Sequence, residues 1–368
     1  MREKLVKEET LRRVLHNQVQ ELKGNIRVFC RVRPPAGAEI RDQAQIAFPD
    51  TDEHAREIEL VGPTTETALG TATTKSYPFA FDRVFPPAAT NGEVFEEISQ
   101  LVQSALDGYN VCIFCYGQTG SGKTYTMSSA DGMIPRTVQQ IYASAAALQD
   151  RGWAYTMEGQ FLEIYNENIN DLLVADDVRK HEIRHDAKLC RTTVTDLTTV
   201  ALDTPDRVRD ILATAFANRS VASTQANERS SRSHCVFVLR LLGVNAASGE
   251  RREGTLNLID LAGSERLSFS QSTGDRLKET LAINKSLSCL GDVIYALGSA
   301  SAHIPYRNSK LTYLLQYSLS GNSKTLMFVN ISPLRQHVTE SVNSLRFATK
   351  VNNTQIGVAR RVKPAPVP

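Results

Sequence analysis

Apolar and polar positions along the chain follow two periods, which predicts strands and helices mixed throughout without a clear linker. Short apolar or alternating runs predict strands at residues 26–33, 57–61, 77–85, 111–116, 153–173, 233–244, 254–261 and 325–331. Apolar residues three and four positions apart predict helices at residues 90–108, 134–149, 204–215, 277–297, 309–319 and 339–351. This order of elements predicts one α/β domain.

The two ends of the chain differ from this pattern. Residues 1–23 contain no Gly or Pro and are rich in charge, which predicts an exposed helix. Leu15 and Leu22 lie a heptad apart, but polar residues interrupt the seam, so the helix is either the end of a coiled coil or packed on its own domain. Because Met1 falls inside this helix, we expect a fragment that lacks most of its stalk. Residues 357–368 predict a disordered tail.

Composition excludes several classes of function. Of the 368 residues, 41% are hydrophobic and 22% charged, which is typical of a globular protein with a large core. The net charge of +2 gives no basic field that would favour nucleic acid. No apolar run approaches the roughly 18 residues of a membrane span, and the charged start lacks a secretory signal. We therefore expect neither nucleic acid nor a membrane as a partner.

The six cysteines include a CxxC pair, Cys112 and Cys115, which could suggest a metal or redox site. On a strand, residues three positions apart point to opposite faces, so these two sulfurs should diverge. We expect buried, reduced thiols and therefore a reducing compartment, most simply the cytoplasm.

The most specific chemical signal is a phosphate-binding loop between an apolar strand and a helix, Gly117-Gln118-Thr119-Gly120-Ser121-Gly122-Lys123-Thr124. Glycines let successive backbone N–H groups point at one anion, and the helix that follows adds its positive end. In this pattern Lys123 reaches the outer phosphates and the Thr124 hydroxyl binds Mg²⁺. The loop predicts a nucleoside triphosphate but not the use of its energy.

Two further segments supply the partners that such a loop needs. Asp260-Leu261-Ala262-Gly263-Ser264-Glu265 ends an apolar strand, where P-loop ATPases place the carboxylate that holds Mg²⁺. Hydroxyls, an amide and an arginine, suited to metal and phosphate oxygens, are clustered in Asn227-Glu228-Arg229-Ser230-Ser231-Arg232-Ser233-His234. Alone, the first segment would be an ordinary turn and the second a solvated loop. Together with the phosphate loop they predict a nucleotide site.

These three segments, in this order, resemble the kinesin motor domain. The resemblance covers residues 24–356 and continues in Tyr125-Thr126-Met127, Asn284-Lys285-Ser286-Leu287, His303-Ile304-Pro305-Tyr306-Arg307-Asn308-Ser309-Lys310-Leu311-Thr312 and Arg346-Phe347-Ala348. It implies an α/β P-loop NTPase fold with a mixed central eight-stranded sheet and three helices on each face. It also implies a microtubule-stimulated ATPase that binds ATP or ADP with Mg²⁺.

The resemblance implies three groups of nucleotide-site residues. Those that flank the adenine would be Arg31, Arg33, Pro34 and Tyr125. Those that bind Mg²⁺ would be Thr124 and Ser231 directly and Asp260 through water. The catalytic group would be Asn227, Ser230, Arg232, Gly263 and Glu265. Within it, the Gly263 amide would contact the γ-phosphate, while Arg232 and Glu265 would pair and position the attacking water.

A second surface should bind the acidic microtubule. The resemblance implies microtubule contacts at Lys278, Lys285, Arg307, Lys310, Arg346 and Lys350, with an affinity that falls as salt rises. Residues 298–303 carry only one ionisable group, His303, which predicts weaker binding than in relatives with a basic loop there. His181, Arg184 and His185 would lie in another microtubule-facing loop.

The N-terminal helix indicates the subclass. Leu15-His16-Asn17 and Glu21-Leu22-Lys23-Gly24-Asn25-Ile26-Arg27-Val28 resemble the neck and the neck–core junction of kinesin-14. That resemblance implies minus-end-directed movement, a homodimer or heterodimer through an N-terminal coiled coil, and a cytoskeletal location that includes the spindle or nucleus. The alternatives are a non-catalytic microtubule-binding homologue and a P-loop signalling switch. ATP hydrolysis measured with and without microtubules separates the three.

Overall fold

A computed structural model describes residues 2–22, 24, 26–50, 54–66, 72–175, 177–188, 190–221, 231–265, 275–321, 323–354 and 359. The α-helices within this part of the chain are α1 Arg2–Leu22, α2 Asn91–Leu106, α3 Lys123–Ser128, α4 Met133–Gln149, α5 Pro205–Val221, α6 Asp275–Gly298, α7 Lys310–Leu314, α8 Gln316–Leu319 and α9 Val338–Asn352. Among the residues described, no helix combines the length and the apolar character needed to cross a membrane.

The strands are β1 Ile26–Val32, β2 Ile46–Ala47, β3 Glu57–Glu66, β4 Ala72–Ala80, β5 Arg83–Phe85, β6 Asn110–Tyr116, β7 Trp153–Tyr165, β8 Asn168–Asp171, β9 Ile183–Asp186, β10 Arg191–Val194, β11 Val200–Ala201, β12 His234–Asn245, β13 Arg251–Asp260 and β14 Ser323–Ile331. The central sheet has the order β11-β7-β12-β13-β6-β14-β1-β5, and β8 pairs with β7 outside this path. The sheet is mixed, as predicted, with eight strands in its main path.

The sheet separates two hydrophobic clusters. On one face α2, α4 and α5 pack against it, and on the other α6, α7 and α9 do so. The central strands β6 and β14 are almost fully buried because both of their faces are covered. Cys112 lies in one cluster and Cys115 in the other, which confirms the predicted divergence of the two sulfurs. All six cysteines are free thiols.

Most predicted elements are present, and the differences have local causes. A capping box formed by Thr90 and Glu93 opens α2. The helix expected at 309–319 is two short helices, since Leu315 lies between α7 and α8. The strand expected at 57–61 extends to Glu66 because it pairs with β4. The predicted tail at 357–368 falls outside the described residues apart from Ala359.

Candidate functional site

The phosphate loop connects β6 to α3 and has the curled backbone that its glycines predict. The φ angles of Gly117, Gly120 and Gly122 are +149°, +76° and +92°. A Cβ on Gly117 would lie 2.1 Å from the carbonyl oxygen of Asn330 on β14, so only glycine fits there. Lys123 Nζ donates to the carbonyl oxygens of Gly117 and Gln118, both at 2.9 Å. The loop therefore surrounds a buried ammonium group.

Charges and oxygen ligands meet at the end of this loop. Burial lowers the pKa of Lys123, and the carboxylates of Asp260 and Glu265 oppose that shift. The Thr124 hydroxyl donates to Asp260 Oδ2 at 2.6 Å. Asp260 Oδ1 and Ser121 Oγ are buried and have no hydrogen-bond partner within the described part of the chain. Carboxylate and hydroxyl oxygens are hard ligands, so this set fits Mg²⁺ and phosphate.

The two segments predicted as partners contact each other, and one of them contacts the phosphate loop, through the backbone. The Gly263 N–H donates to the Ser231 carbonyl oxygen at 2.8 Å, and the Ser264 N–H donates to that of Gly117 at 3.0 Å. A Cβ on Gly263 would lie 2.4 Å from a carboxylate oxygen of Glu265, so a larger residue would displace that carboxylate. The structure thus brings Gly117, Ser231 and Gly263 together, with the Gly263 amide bonded to Ser231.

In this structure Arg232 and Glu265 each have another partner, and their predicted pairing stays a prediction. Arg232 Nη1 instead contacts Glu279 Oε2 on α6 at 2.6 Å. Glu265 accepts hydrogen bonds from the Thr119 N–H, at 2.8 Å, and from the Thr119 hydroxyl. Arg232 and Glu265 each already bind another group in this conformation, so the two side chains do not form an ion pair with each other.

Two residues of the predicted catalytic group, Asn227 and Ser230, lie outside the described residues. Their roles stay predictions, as do those of the other site residues.

Among the residues expected around the adenine, Arg31 lies buried behind the exposed ring of Tyr125. Arg31 is buried, and its Nη1 donates to Asn91 Oδ1 at 2.6 Å and to Thr126 Oγ1 at 3.0 Å. Its guanidinium carbon lies 5.7 Å from the centre of the Tyr125 ring, and Tyr125 is 58% exposed. Arg31 therefore supports an aromatic ring whose outer face is open to a base.

Arg33 ties the end of β1 to the phosphate loop. Its Nε donates to the Gly120 carbonyl oxygen at 2.6 Å, and its two Nη atoms bind the Glu39 carboxylate at 2.6 and 2.8 Å. The Arg33 hydrogen bonds hold the pKa of Glu39 at about 2. The next residue, Pro34, is exposed.

Sequence reasoning missed a buried arginine behind the carboxylate of Asp260. Arg219 on α5 places Nη1 4.0 Å from Asp260 Oδ2 and Nε 3.6 Å from Glu163 Oε1. It also donates to the hydroxyl and carbonyl oxygens of Ser233. The guanidinium group anchors Asp260 and the segment that begins at Ser231. An arginine within a helix normally indicates a solvated face, so the sequence offers no local signal for this role.

The six basic residues predicted to face the microtubule lie on elements that share one side of the sheet. They are Lys278 and Lys285 on α6, Arg307 in the 3₁₀ turn Tyr306–Asn308, Lys310 at the start of α7, and Arg346 and Lys350 on α9. Within this side, α6 packs against both α7 and α9. All but the half-buried Lys310 are exposed.

The exposed face of α6 carries apolar groups that sequence reasoning also missed. Leu281, Lys285, Ser288, Asp292 and Tyr295 follow one another at spacings of four and three residues and are all exposed. Leu281 is 47% exposed and Tyr295 75%. This face combines one positive and one negative side chain with uncovered apolar area.

The β9–β10 hairpin joins this side of the molecule through His185. The His185 ring lies edge-on to Tyr313, with 4.4 Å between ring centres, and its Nδ1 lies 3.1 Å from Thr192 Oγ1. Nearby, His181 Nδ1 lies 2.8 Å from the Thr195 carbonyl oxygen and Nε2 2.6 Å from Asp177 Oδ2. Since both partners of His181 are acceptors, both of its nitrogens must donate, and the ring is an imidazolium.

The His181 contacts predict a pH-dependent stability. Burial lowers the pKa of His181, but its bonds to Thr195 and Asp177 outweigh burial, so the pKa is raised above 6.5. A raised pKa gives stability that is present in full below 6.5 and lost as pH rises through the folded-state value. We expect His181→Gln to lower the free energy of unfolding by about 2 kcal/mol near pH 6, and by less near pH 8.5. Denaturant unfolding of both proteins measures the difference. An equal loss at both pH values would contradict the charged ring.

The N-terminal helix α1 docks on the edge of the domain through polar contacts. Asn17 Nδ2 donates to Asp107 Oδ2 at 3.1 Å, and Gln20 Nε2 donates to Gln100 Oε1 at 2.6 Å. Lys324, at the start of β14, donates to Asn17 Oδ1. The helix therefore packs on its own domain, one of the two alternatives left open by the sequence. Apolar side chains remain exposed on Leu11, Val14, Leu15, Val19 and Leu22.

Together, the curled loop after β6, the Thr124–Asp260 contact and the segment at Gly263 define a P-loop nucleotide-binding protein of the α/β class. A family model described as the kinesin motor domain matches residues 31–354. The chain therefore belongs to the kinesin motor domain family, whose members bind nucleotide and are microtubule-stimulated ATPases.

Curated relatives are of the kinesin-14 type. The chain is 65% identical over 366 residues to kinesin-like protein klpA of Emericella nidulans, covering 98% of this chain and 48% of the relative. It is 53% identical over 369 residues to kinesin-like protein KAR3 of Saccharomyces cerevisiae, covering 97% of this chain and 50% of the relative. The chain thus spans about half the length of these relatives.

Solved structures confirm the fold. A C-terminal motor and motor homology domain of Kar3Vik1, fused to a synthetic heterodimeric coiled coil, matches with a TM-score of 0.85 and 52% identity, over 96% of this chain and 92% of that one. The motor domain of a Kar3-like kinesin from Ashbya gossypii matches with a TM-score of 0.76 and 53% identity, over 89% and 100%.

Proposed function

We propose that this chain is the ATP-hydrolysing and microtubule-binding part of a minus-end-directed motor. The observation that carries the proposal is the meeting of three separate segments, through Gly117, Ser231 and Gly263, at one phosphate loop. Such an arrangement can report the state of a terminal phosphate to the rest of the domain. One of these segments also borders α6, since Arg232 contacts Glu279 on that helix.

The nucleotide would be ATP or ADP with Mg²⁺. Thr124 and Ser231 would hold the metal directly and Asp260 through water, while Lys123 would leave its loop carbonyls for the outer phosphates. When bound, Mg²⁺ supplies positive charge that neutralises the phosphate oxygens. The exposed ring of Tyr125 would stack on the adenine, with Arg31 behind it and Arg33 and Pro34 beside it.

Catalysis would depend on positioning and charge, which is the main demand of phosphoryl transfer. Arg232 and Glu265 would leave Glu279 and Thr119, pair with each other and orient the attacking water. The Gly263 amide would exchange the Ser231 carbonyl for a phosphate oxygen. Asn227 and Ser230 would complete the group.

Microtubule binding would use the side of the domain that carries α6, α7 and α9. Lys278, Lys285, Arg307, Lys310, Arg346 and Lys350 would supply salt-sensitive attraction to an acidic surface. Leu281 and Tyr295 would add apolar contact on the exposed face of α6. The weakly basic residues 298–303 would limit the affinity.

The neck would be residues 1–23 and the motor domain residues 24–356. The exposed apolar face of α1, which includes Leu11, Leu15 and Leu22, fits the seam of a coiled coil with a second copy or a related chain. The Kar3Vik1 relative, described with a heterodimeric coiled coil, supports such a partner. The motor would act on microtubules in the cytoplasm, with the spindle or nucleus as further sites.

The test is ATP hydrolysis with and without microtubules, at two salt concentrations. We expect microtubules to raise kcat by at least about tenfold, and higher salt to raise the microtubule concentration needed for half-stimulation. A gliding assay on polarity-marked microtubules with a restored stalk tests the direction. Unstimulated hydrolysis would refute the motor, and plus-end-directed gliding would refute the subclass.

A further inference from the structure

A buried histidine connects the segment that follows β13 to helix α6. His234 is the first residue of β12 and only 3% exposed. Its Nδ1 lies 3.0 Å from the Ala262 backbone N, and its Nε2 lies 2.8 Å from Ser286 Oγ on α6. Ser286 is also buried, and its hydroxyl donates to the Ile283 carbonyl oxygen at 2.9 Å.

The chemistry of these groups fixes the direction of every hydrogen bond. A backbone N–H can only donate, so Ala262 donates to Nδ1, and Nδ1 carries no proton. The proton of the neutral ring is then on Nε2, which donates to Ser286 Oγ. The Ser286 hydroxyl in turn donates to Ile283. Each hydrogen bond in the series Ala262→His234→Ser286→Ile283 therefore has a fixed donor and a fixed acceptor.

The surroundings keep the ring in this form. Burial, together with the positive charges of Arg219 and Lys123, lowers the pKa of His234 to about 3. The imidazole is neutral throughout the range in which the protein works. The series therefore keeps the same hydrogen bonds as pH changes, and it does not act by gaining or losing a proton.

We propose that His234 and Ser286 are positioning residues that carry a displacement of α6 to the backbone at Ala262, and so to Gly263. On one side of the connection, α6 exposes Lys278, Lys285 and an apolar face. On the other, Gly263 contacts Ser231 and lies against the Glu265 carboxylate. A hydrogen-bonded ring packed between two elements transmits small shifts because a close-packed interior does not absorb them.

This inference rests on the proposed microtubule-stimulated ATPase, and it makes a separate claim. The Arg232–Glu279 contact also joins α6 to the nucleotide site, but it is an ion pair that the proposed reaction must break. The His234 series needs no such exchange. It can persist while the helix moves and can therefore act during stimulation.

The experiment compares His234→Asn, Ser286→Ala and the double variant. Asparagine retains an acceptor near the Nδ1 position for Ala262 but is too short for Ser286, and Ser286→Ala removes the same bond from the other side. The matched control is Ser341→Ala on α9. Ser341 is a buried serine whose hydroxyl has no hydrogen-bond partner among the described residues.

We expect each variant to lower the microtubule-stimulated kcat about tenfold, which corresponds to about 1.4 kcal/mol, with the basal rate within about twofold of wild type. The microtubule concentration for half-stimulation should stay unchanged, because no surface contact is removed. The double variant should match the single variants, since all three remove the same His234–Ser286 bond. Ser341→Ala should keep full stimulation.

Three results would overturn the connection: full stimulation in Ser286→Ala, an equal fall of basal and stimulated rates, or additive effects in the double variant. If His234→Asn fails to fold, the comparison of Ser286→Ala with Ser341→Ala decides. Absence of stimulation in the wild-type protein would instead refute the proposed function, so the two failures are distinguishable.

Discussion

Arg232→Ala and Glu265→Ala are each expected to lower the microtubule-stimulated kcat by about 100- to 1,000-fold, while nucleotide affinity changes less than about threefold. In the structure these side chains contact Glu279 and Thr119 and make no contact with each other. Their proposed pair forms only when the segments that carry them close together. Removing either partner therefore removes an interaction that exists only during the reaction.

The measurements are steady-state ATPase with microtubules and equilibrium binding of a fluorescent nucleotide. Glu279→Gln is the matched control, because it removes the carboxylate that holds Arg232 here but neither member of the proposed pair. We expect its stimulated kcat to stay within about threefold of wild type. If Arg232→Ala and Glu265→Ala also stay within that range, the proposed catalytic pair does not exist.

The sequence predicts the parts of the site that depend on local backbone chemistry. The glycines of the phosphate loop, the strand that precedes it and the aspartate at the end of β13 each leave a pattern within a few residues. The alternation of apolar positions likewise predicts the main strands of the sheet. Gly117 illustrates the limit, because the neighbour that excludes a side chain there is Asn330, on a distant strand.

Partners fixed by tertiary packing leave no such pattern. Arg219 sits within α5 and His234 at the start of β12, and neither residue type indicates burial beside a nucleotide site. The choice of Glu279 over Glu265 as partner of Arg232 depends on how α6 packs, which no motif contains. Sequence reasoning therefore predicts the residues of the site better than it predicts their contacts.

The second large expected effect is the release of helix α1 from the domain when Lys324 is replaced. Lys324 is 3% exposed, and its ammonium group binds Asn17 Oδ1 on α1 and lies 3.1 Å from Ser104 Oγ and 4.1 Å from the centre of the Tyr109 ring. Burial lowers its pKa to about 8, and the negative charges of Glu21 and Asp107 oppose that shift, so the ammonium group is charged near neutral pH. The same contacts hold α1 on the domain.

Lys324→Met should release α1 from the domain. Methionine fills similar space but cannot donate, which leaves Asn17 Oδ1 unpaired and removes the positive charge near Asp107. Losing one member of a buried charged network costs about 3–5 kcal/mol. Lys75→Met is the matched control, since Lys75 lies 5.3 Å from the centre of the Tyr77 ring, away from α1.

Trp153, the one tryptophan of the sequence, reports the outcome. It is 5% exposed, with the guanidinium carbon of Arg252 3.6 Å from its ring centre and that of Arg13, on α1, 5.8 Å away. Release of α1 should shift its emission to longer wavelength and open it to iodide quenching. Hydrolysis should continue while directed gliding of the stalk-restored motor fails, because the helix that joins the domain to the stalk is no longer held on the domain. Unchanged quenching together with normal gliding would show that Lys324 does not hold the neck.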